Sequence, residues 1–167
     1  MDISELSARQ LLKLHADIEG RLRELEIIRS ANNPTGDLAE YLFCKAFPDW
    51  VREGNSQAGY DAKGTKDGLL YQIKGRRITH NRSRQLSAIR SLERAHFDYL
   101  AGVLFNEDYS IFKAALIPHA VLQSLNKERN HISFQKHTNS HVFLLVDDIW
   151  KIPYVEDVTD KLQSAWY

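Results

Sequence analysis

Cysteine occurs once in the 167-residue chain, at Cys44, which excludes an internal disulfide and any cysteine-rich zinc site. Net charge is missing as well, because 22 basic residues face 22 acidic ones. A neutral chain is not steered to nucleic acid by its overall charge, so such a partner needs a local patch. No run of 18 apolar residues is present, so no membrane span is expected. The opening MDISELSARQ carries an acid at once and no apolar stretch, unlike a signal peptide. With a lone thiol, a reducing cytoplasm is the simplest compartment. There is also no internal repeat, no low-complexity tract, no linker long enough to split the chain, and no P-loop glycine pattern. One domain of ordinary globular composition is expected.

What the chain does have is a basic run. Between Lys74 and Arg94 stand Lys74, Arg76, Arg77, Arg82, Arg84, Arg90 and Arg94 against the single acid Glu93, a net +6 over 21 residues. Six of these bases are arginine, whose planar fork matches phosphates and guanine edges.

Hydrophobic spacing orders the rest. Leu11, Leu14, Ile18, Leu22 and Leu25 make one helical stripe, so residues 2–29 read as an amphipathic helix, with Asp2 and Glu5 as its capping box. Residues 1–30 are expected to pack on the domain or in a dimer interface, and 31–167 to form the domain itself. After the break ANNPTG, a second helix is expected from Thr35 to Phe47, stopped by Pro48. GYDAK and LLYQIKGRR then flank the turn GTKDG as a hairpin. A helix is expected over Ser83–Arg94, and strands over 97–105 and 109–117. These two strands are near-continuously apolar, as in a sheet covered on both faces. A helix at 119–126, a strand at 141–146 and a short helix at 158–164 complete the pattern. It reads as α/β, a mixed sheet with helices on both sides.

Phosphodiester hydrolysis needs a water that loses its proton and an offset for charge on the phosphate oxygens. A hard dication on oxygen ligands does both, and a nearby lysine assists. The hairpin offers such a set. Gln72 and Lys74 are two apart and share a face, while Tyr71 and Ile73 face the core. Asp61 can meet that pair across the hairpin, and the Ile73 carbonyl is a further candidate oxygen. Winding the second helix places Glu40 at the edge of its apolar arc, about 20° past Phe47, where it can lean over the sheet.

Asp61, a gap of ten residues and Gln72-Ile73-Lys74, after a helix bearing Glu40, resemble the PD-(D/E)XK nuclease superfamily. NNPTGDLAEYLFCKAF and GYDAKGTKDGLLYQIKGRR resemble a family of small bacterial proteins assigned to that fold, over roughly residues 30–118. The resemblance implies a restriction-endonuclease-like, three-layer αβα fold. It also implies a magnesium site, with manganese as a substitute. Asp61, Gln72, Glu40 and the Ile73 carbonyl would serve the metal, and Lys74 the water. Arg76, Arg77, His80, Arg82, Arg84 and Arg90 would contact DNA. The implied activity is that of a small type II-like restriction endonuclease, a homodimer on double-stranded DNA. Two positions depart from the pattern. Tyr60 stands where the superfamily's proline would be, and Gln72 replaces a carboxylate, removing one negative charge. The alternative is a catalytically weak or inactive nucleic-acid-binding module of the same fold.

Other residues read more plainly. His131, His137 and His141 lie near polar loop residues and read as solvated rather than as a zinc site. Cys44 has no evident basic partner in sequence and is not read as a nucleophile. Trp50, Trp150 and Trp166 read as core or interface aromatics.

Overall fold

The apolar runs after residue 97 form the middle of the sheet. In the computed structural model, β5 (Tyr99–Phe105) and β6 (Ile111–Pro118) pair antiparallel, with Leu100, Ala101, Val103, Phe105, Ala114, Ala115 and Ile117 fully buried. The structure describes residues 2–30, 33–54, 59–86, 89–90, 92–94, 96–128, 132–135, 140–143, 149 and 151–167.

The hairpin joins this pair on one side. β3 (Leu70–Arg77) runs parallel to β5, with Gln72 beside Leu100 and Lys74 beside Gly102. β2 (Ala62–Gly64) pairs antiparallel with β3, Ala62 opposite Tyr71. An edge strand that the sequence pattern did not announce, β1 (Trp50–Arg52), extends the sheet beyond β2. With β9 (Glu156–Asp157) on the far side of β6, the order is β1-β2-β3-β5-β6-β9. The hairpin turn uses Gly68 at φ +73°, a conformation open to glycine. Asp67 braces the turn by accepting the Leu69 N–H at 2.9 Å.

Helices cover both faces. α2 (Thr35–Ala46) and α4 (Thr159–Trp166) lie over one, where Leu38, Leu42, Phe43 and Leu162 pack on Ala62, Tyr71, Ile73, Val103 and Phe105. On the other face Leu122 and Leu125 of α3 (His119–Glu128) join Leu86, Ile89, Leu92, Leu100, Leu104 and Ile117. Gly75 sets the approach of α2 to β3. A Cβ there would stand 2.9 Å from both the Ala39 Cβ and the Thr35 carbonyl oxygen.

Two expected helices are corrected. Ser83–Arg94 is not a helix. It contains the short strand β4 (Ile89–Arg90) and a 3-10 turn at Leu92–Arg94. Leu86, Ile89 and Leu92 recur at three, as in a helix, yet β4 pairs with the distant β8 (Ser140–Phe143), which also pairs with β7 (Ile132–Gln135). That long-range pairing outweighs local periodicity.

The first helix is shorter than 2–29. α1 spans Ala8–Glu24, and its capping box is Ser7 with Gln10, while Asp2 accepts from Ser4 ahead of the helix. It ends where Glu26 turns to φ +57° and the Ile27 N–H returns to the Leu22 carbonyl at 3.0 Å. No residue of α1 is buried.

Candidate metal and nucleic-acid site

Asp61 is fixed through its backbone before its side chain is considered. Its N–H donates to the Tyr71 carbonyl at 2.8 Å, and its carbonyl accepts the Glu53 N–H at 3.0 Å. It is therefore strapped between β3 and the end of β1, one residue beyond the Ala62–Tyr71 pair and so opposite Gln72. Its Oδ2 accepts the Ile73 N–H at 2.7 Å. The carboxylate is thus held against β3 where β2 leaves it.

Alternation along β3 puts Gln72, Lys74 and Arg76 on the face away from α2, and Tyr71, Ile73 and Gly75 toward it. Gln72 is only 8% exposed, and among the described residues its buried Oε1 has no hydrogen-bond partner. Lys74 is half-buried, paired in register with Gly102 of β5. Among the described residues Lys74 has no ion-pair partner. The Nε of Arg76, on the same face, is also buried without a hydrogen-bond partner among the described residues. Because the Ile73 N–H points toward the β2 side, its carbonyl points there too, past the last β2–β3 pair. Asp61, Gln72, the Ile73 carbonyl and Lys74 thus gather at one divergence of two strands.

These donors suit a hard dication. Carboxylate, amide and carbonyl oxygens are the ligands magnesium takes, and it commonly needs only one or two carboxylates beside water and substrate phosphates. A buried amide oxygen without a donor costs about 1–3 kcal/mol, so a cation at Gln72 Oε1 would remove a penalty. Among the described residues no three His, Cys, Asp or Glu side chains converge on a metal position. A cation at the hairpin would rest on Asp61 with neutral oxygens.

Glu40 is placed differently from this group. Its Oε2 accepts from Arg29 and, at 2.9 Å, from the Nε of Arg52. Arg52 also donates to the Asp37 carbonyl at 2.9 Å. Asp37 in turn accepts the N–H groups of Arg29 and Ser30, both at 2.8 Å. Burial alone would raise the Asp37 carboxyl, but these donors, the Ser30 hydroxyl and the Arg52 guanidinium together hold it below its ordinary range. The network ties residues 29–30 and β1 to α2. Burial dominates at Cys44 and pushes it up to about 11 despite Arg52 and Arg29 nearby, so the thiol is neutral at pH 7.

The basic run does not form one surface. Arg77 lies on the α2 side, donating to the Glu107 carbonyl at 2.7 Å with its guanidinium 4.7 Å from the centre of the Tyr109 ring. Arg76 and Arg84 lie on the Gln72 side, Arg84 over the Phe112 ring at 4.9 Å. His80 and Arg82 are exposed in a turn closed by the Arg82 N–H on the Thr79 carbonyl at 2.8 Å. Arg90 is in β4, its side chain outside the described residues, as are His131 and His137; His141 is in β8. Trp50 is buried, stacked on Tyr71 with ring centres 3.6 Å apart. Trp166 packs against the same core, and Trp150 lies outside the described residues.

Sequence reasoning did not find the Arg29–Glu40–Arg52–Asp37 network. Its members are scattered over 24 residues without periodicity. Compared with known proteins, the chain matches no family model and no curated protein. No described helix is long and apolar enough to cross a membrane.

Proposed function

We propose that the chain is a magnesium-dependent endonuclease that hydrolyses DNA phosphodiester bonds, with a restriction-endonuclease-like arrangement of hairpin and helix. The observation that carries the reading is the unpartnered, buried Oε1 of Gln72, opposite the carboxylate of Asp61 and two residues from Lys74. Asp61, Gln72 and the Ile73 carbonyl would hold the cation, for which manganese would substitute. The bound cation supplies Lewis acidity toward the phosphate and lowers the pKa of a bound water. Lys74 holds the attacking water or offsets charge on the phosphate. Arg76 and Arg84 lie on the same side of the sheet to grip the DNA backbone, with Arg82 and His80 at the exposed turn. Glu40 acts from behind, through Arg52, by fixing β1 and so the strand end that carries Asp61. Cutting both strands of a palindromic duplex would require a homodimer.

The test is cleavage of supercoiled plasmids of varied sequence with magnesium or manganese. Nicking or linearisation is expected, abolished in Lys74→Ala while DNA binding falls only modestly. Intact plasmid under all these conditions overturns the reading.

A second reading, a binding module of weak or absent catalysis, draws on two facts. Gln72 brings no charge, and Glu40 is already neutralised by two arginines. Under that reading Lys74→Ala changes affinity slightly and there is no cleavage to lose.

A further inference from the structure

The unburied stripe of α1 has an internal symmetry. Leu14 and Leu22 stand four residues either side of Ile18, and Leu11 and Leu25 stand seven either side. The spacing therefore reads the same in both directions. Leu11, Ile18 and Leu25 are 39%, 49% and 46% exposed, although large apolar side chains gain by burial. No face of the described domain covers them.

A stripe symmetric about one residue is self-complementary when two copies meet antiparallel, as an isologous two-fold contact requires. With the axis at Ile18, Leu11 faces Leu25 of the second copy, Leu14 faces Leu22, and Ile18 faces itself. The charges beside the stripe agree. Winding at about 100° per residue puts Asp17 and Arg21 on one flank, and His15 and Glu19 on the other. In an antiparallel pair like flanks meet, so Asp17 comes beside Arg21 of the second copy and His15 beside Glu19. Asp17 and Arg21 now make only exposed pairs within the helix, to Lys13 and Glu24, with side chains 60% and 65% exposed.

The contact also has somewhere to continue. Past Leu25 the stripe runs into an apolar pocket of about 140 Å³ lined by Leu22, Ile27, Ile28, Leu38, Tyr109 and Trp166. The second copy's residues before α1, including its Ile3, which is 52% exposed, extend in that direction.

We infer that α1 is a homodimerisation element that pairs antiparallel with α1 of a second copy about Ile18. The inference holds whether or not the hairpin cuts DNA.

The experiment is sedimentation equilibrium of the full chain, followed by variants. A dimer is expected, with Ile18→Glu weakening it by at least about a hundredfold, since two apolar side chains are lost from one contact. Helicity should be unchanged by circular dichroism, because Ile18 is half exposed on α1 and belongs to neither buried core cluster. Asp17→Arg should weaken the dimer, and Asp17→Arg with Arg21→Asp should restore it. Direction is read by oxidative cross-linking in a Cys44→Ser background. A mixture of Leu11→Cys and Leu25→Cys chains should cross-link, and Leu25→Cys alone should not. A wild-type monomer up to roughly 100 µM overturns the inference. So does a dimer indifferent to Ile18→Glu, cross-linking of Leu25→Cys with itself, or a monomer that binds only lipid vesicles.

Discussion

At Gln72 the chain buries an amide oxygen that meets no hydrogen-bond donor among the described residues. Side chains of that kind are rare inside folded proteins, because the desolvation is not repaid. Asp61 is treated in the opposite way, with its backbone and one carboxylate oxygen both anchored to β3. Under the proposed function, the pair would supply part of a cation's oxygen shell. Asp37 shows a carboxylate fully supplied with donors, and its depressed pKa has a consequence for stability. A carboxyl whose folded-state pKa lies below its unfolded value stabilises the fold above the unfolded pKa. That contribution is lost as pH falls through the folded one. Asp37→Asn should therefore be less stable than wild type at pH 6, by about 1–3 kcal/mol for the buried hydrogen bonds it disturbs. In urea titrations the gap should close as pH drops below the ordinary carboxylate range. A gap that stays constant down to pH 2 would contradict the assignment. Of these residues, sequence alone pointed to Asp61, Gln72 and Lys74, because strand alternation is local. It could not foresee that Arg29 and Arg52 engage Glu40, since that contact is made only when β1 docks on α2.

At the scale of elements, the position of the site depends on how closely α2 sits over β3. Gly75, between Lys74 and Arg76, lets the helix backbone approach. A Cβ there meets the Thr35 carbonyl, which belongs to backbone and cannot swing aside. Gly75→Ala should cost about 1–3 kcal/mol by urea unfolding, as other overpacked sites do. An unchanged midpoint would show that α2 does not rest on this strand. The hairpin, α2, β5, β6, α3 and α4 were legible because each carries its own period or stop signal: Pro48 after α2, Asp67-Gly68 in the turn, apolar runs in β5 and β6. β1, β4 and β9 were not. They are two or three residues long and are defined by the strands they pair with. The Ser83–Arg94 segment misled because residues three apart can all be buried in a meandering chain as well as in a helix.

Considered whole, a neutral molecule carries a basic segment over residues 74–94 whose described side chains divide between the two faces of the sheet, compensated by acids elsewhere. If the proposed DNA binding holds, such a distribution would limit long-range attraction and leave only local contacts to the phosphate backbone, with binding that weakens as salt rises. An exposed apolar helix projects from the same chain, suited to joining two copies. On the two proposals, the strand hairpin, the basic segment and the helix would serve metal, nucleic acid and self-association respectively. The first of these is the claim on which the proposed chemistry stands. It can be measured without any DNA, by following the electron paramagnetic resonance signal of free manganese as the full chain is titrated into it. One saturable site per chain is expected, lost in Asp61→Asn, weakened in Gln72→Leu and kept in Lys74→Ala. No saturable binding, or binding indifferent to both Asp61→Asn and Gln72→Leu, would contradict it.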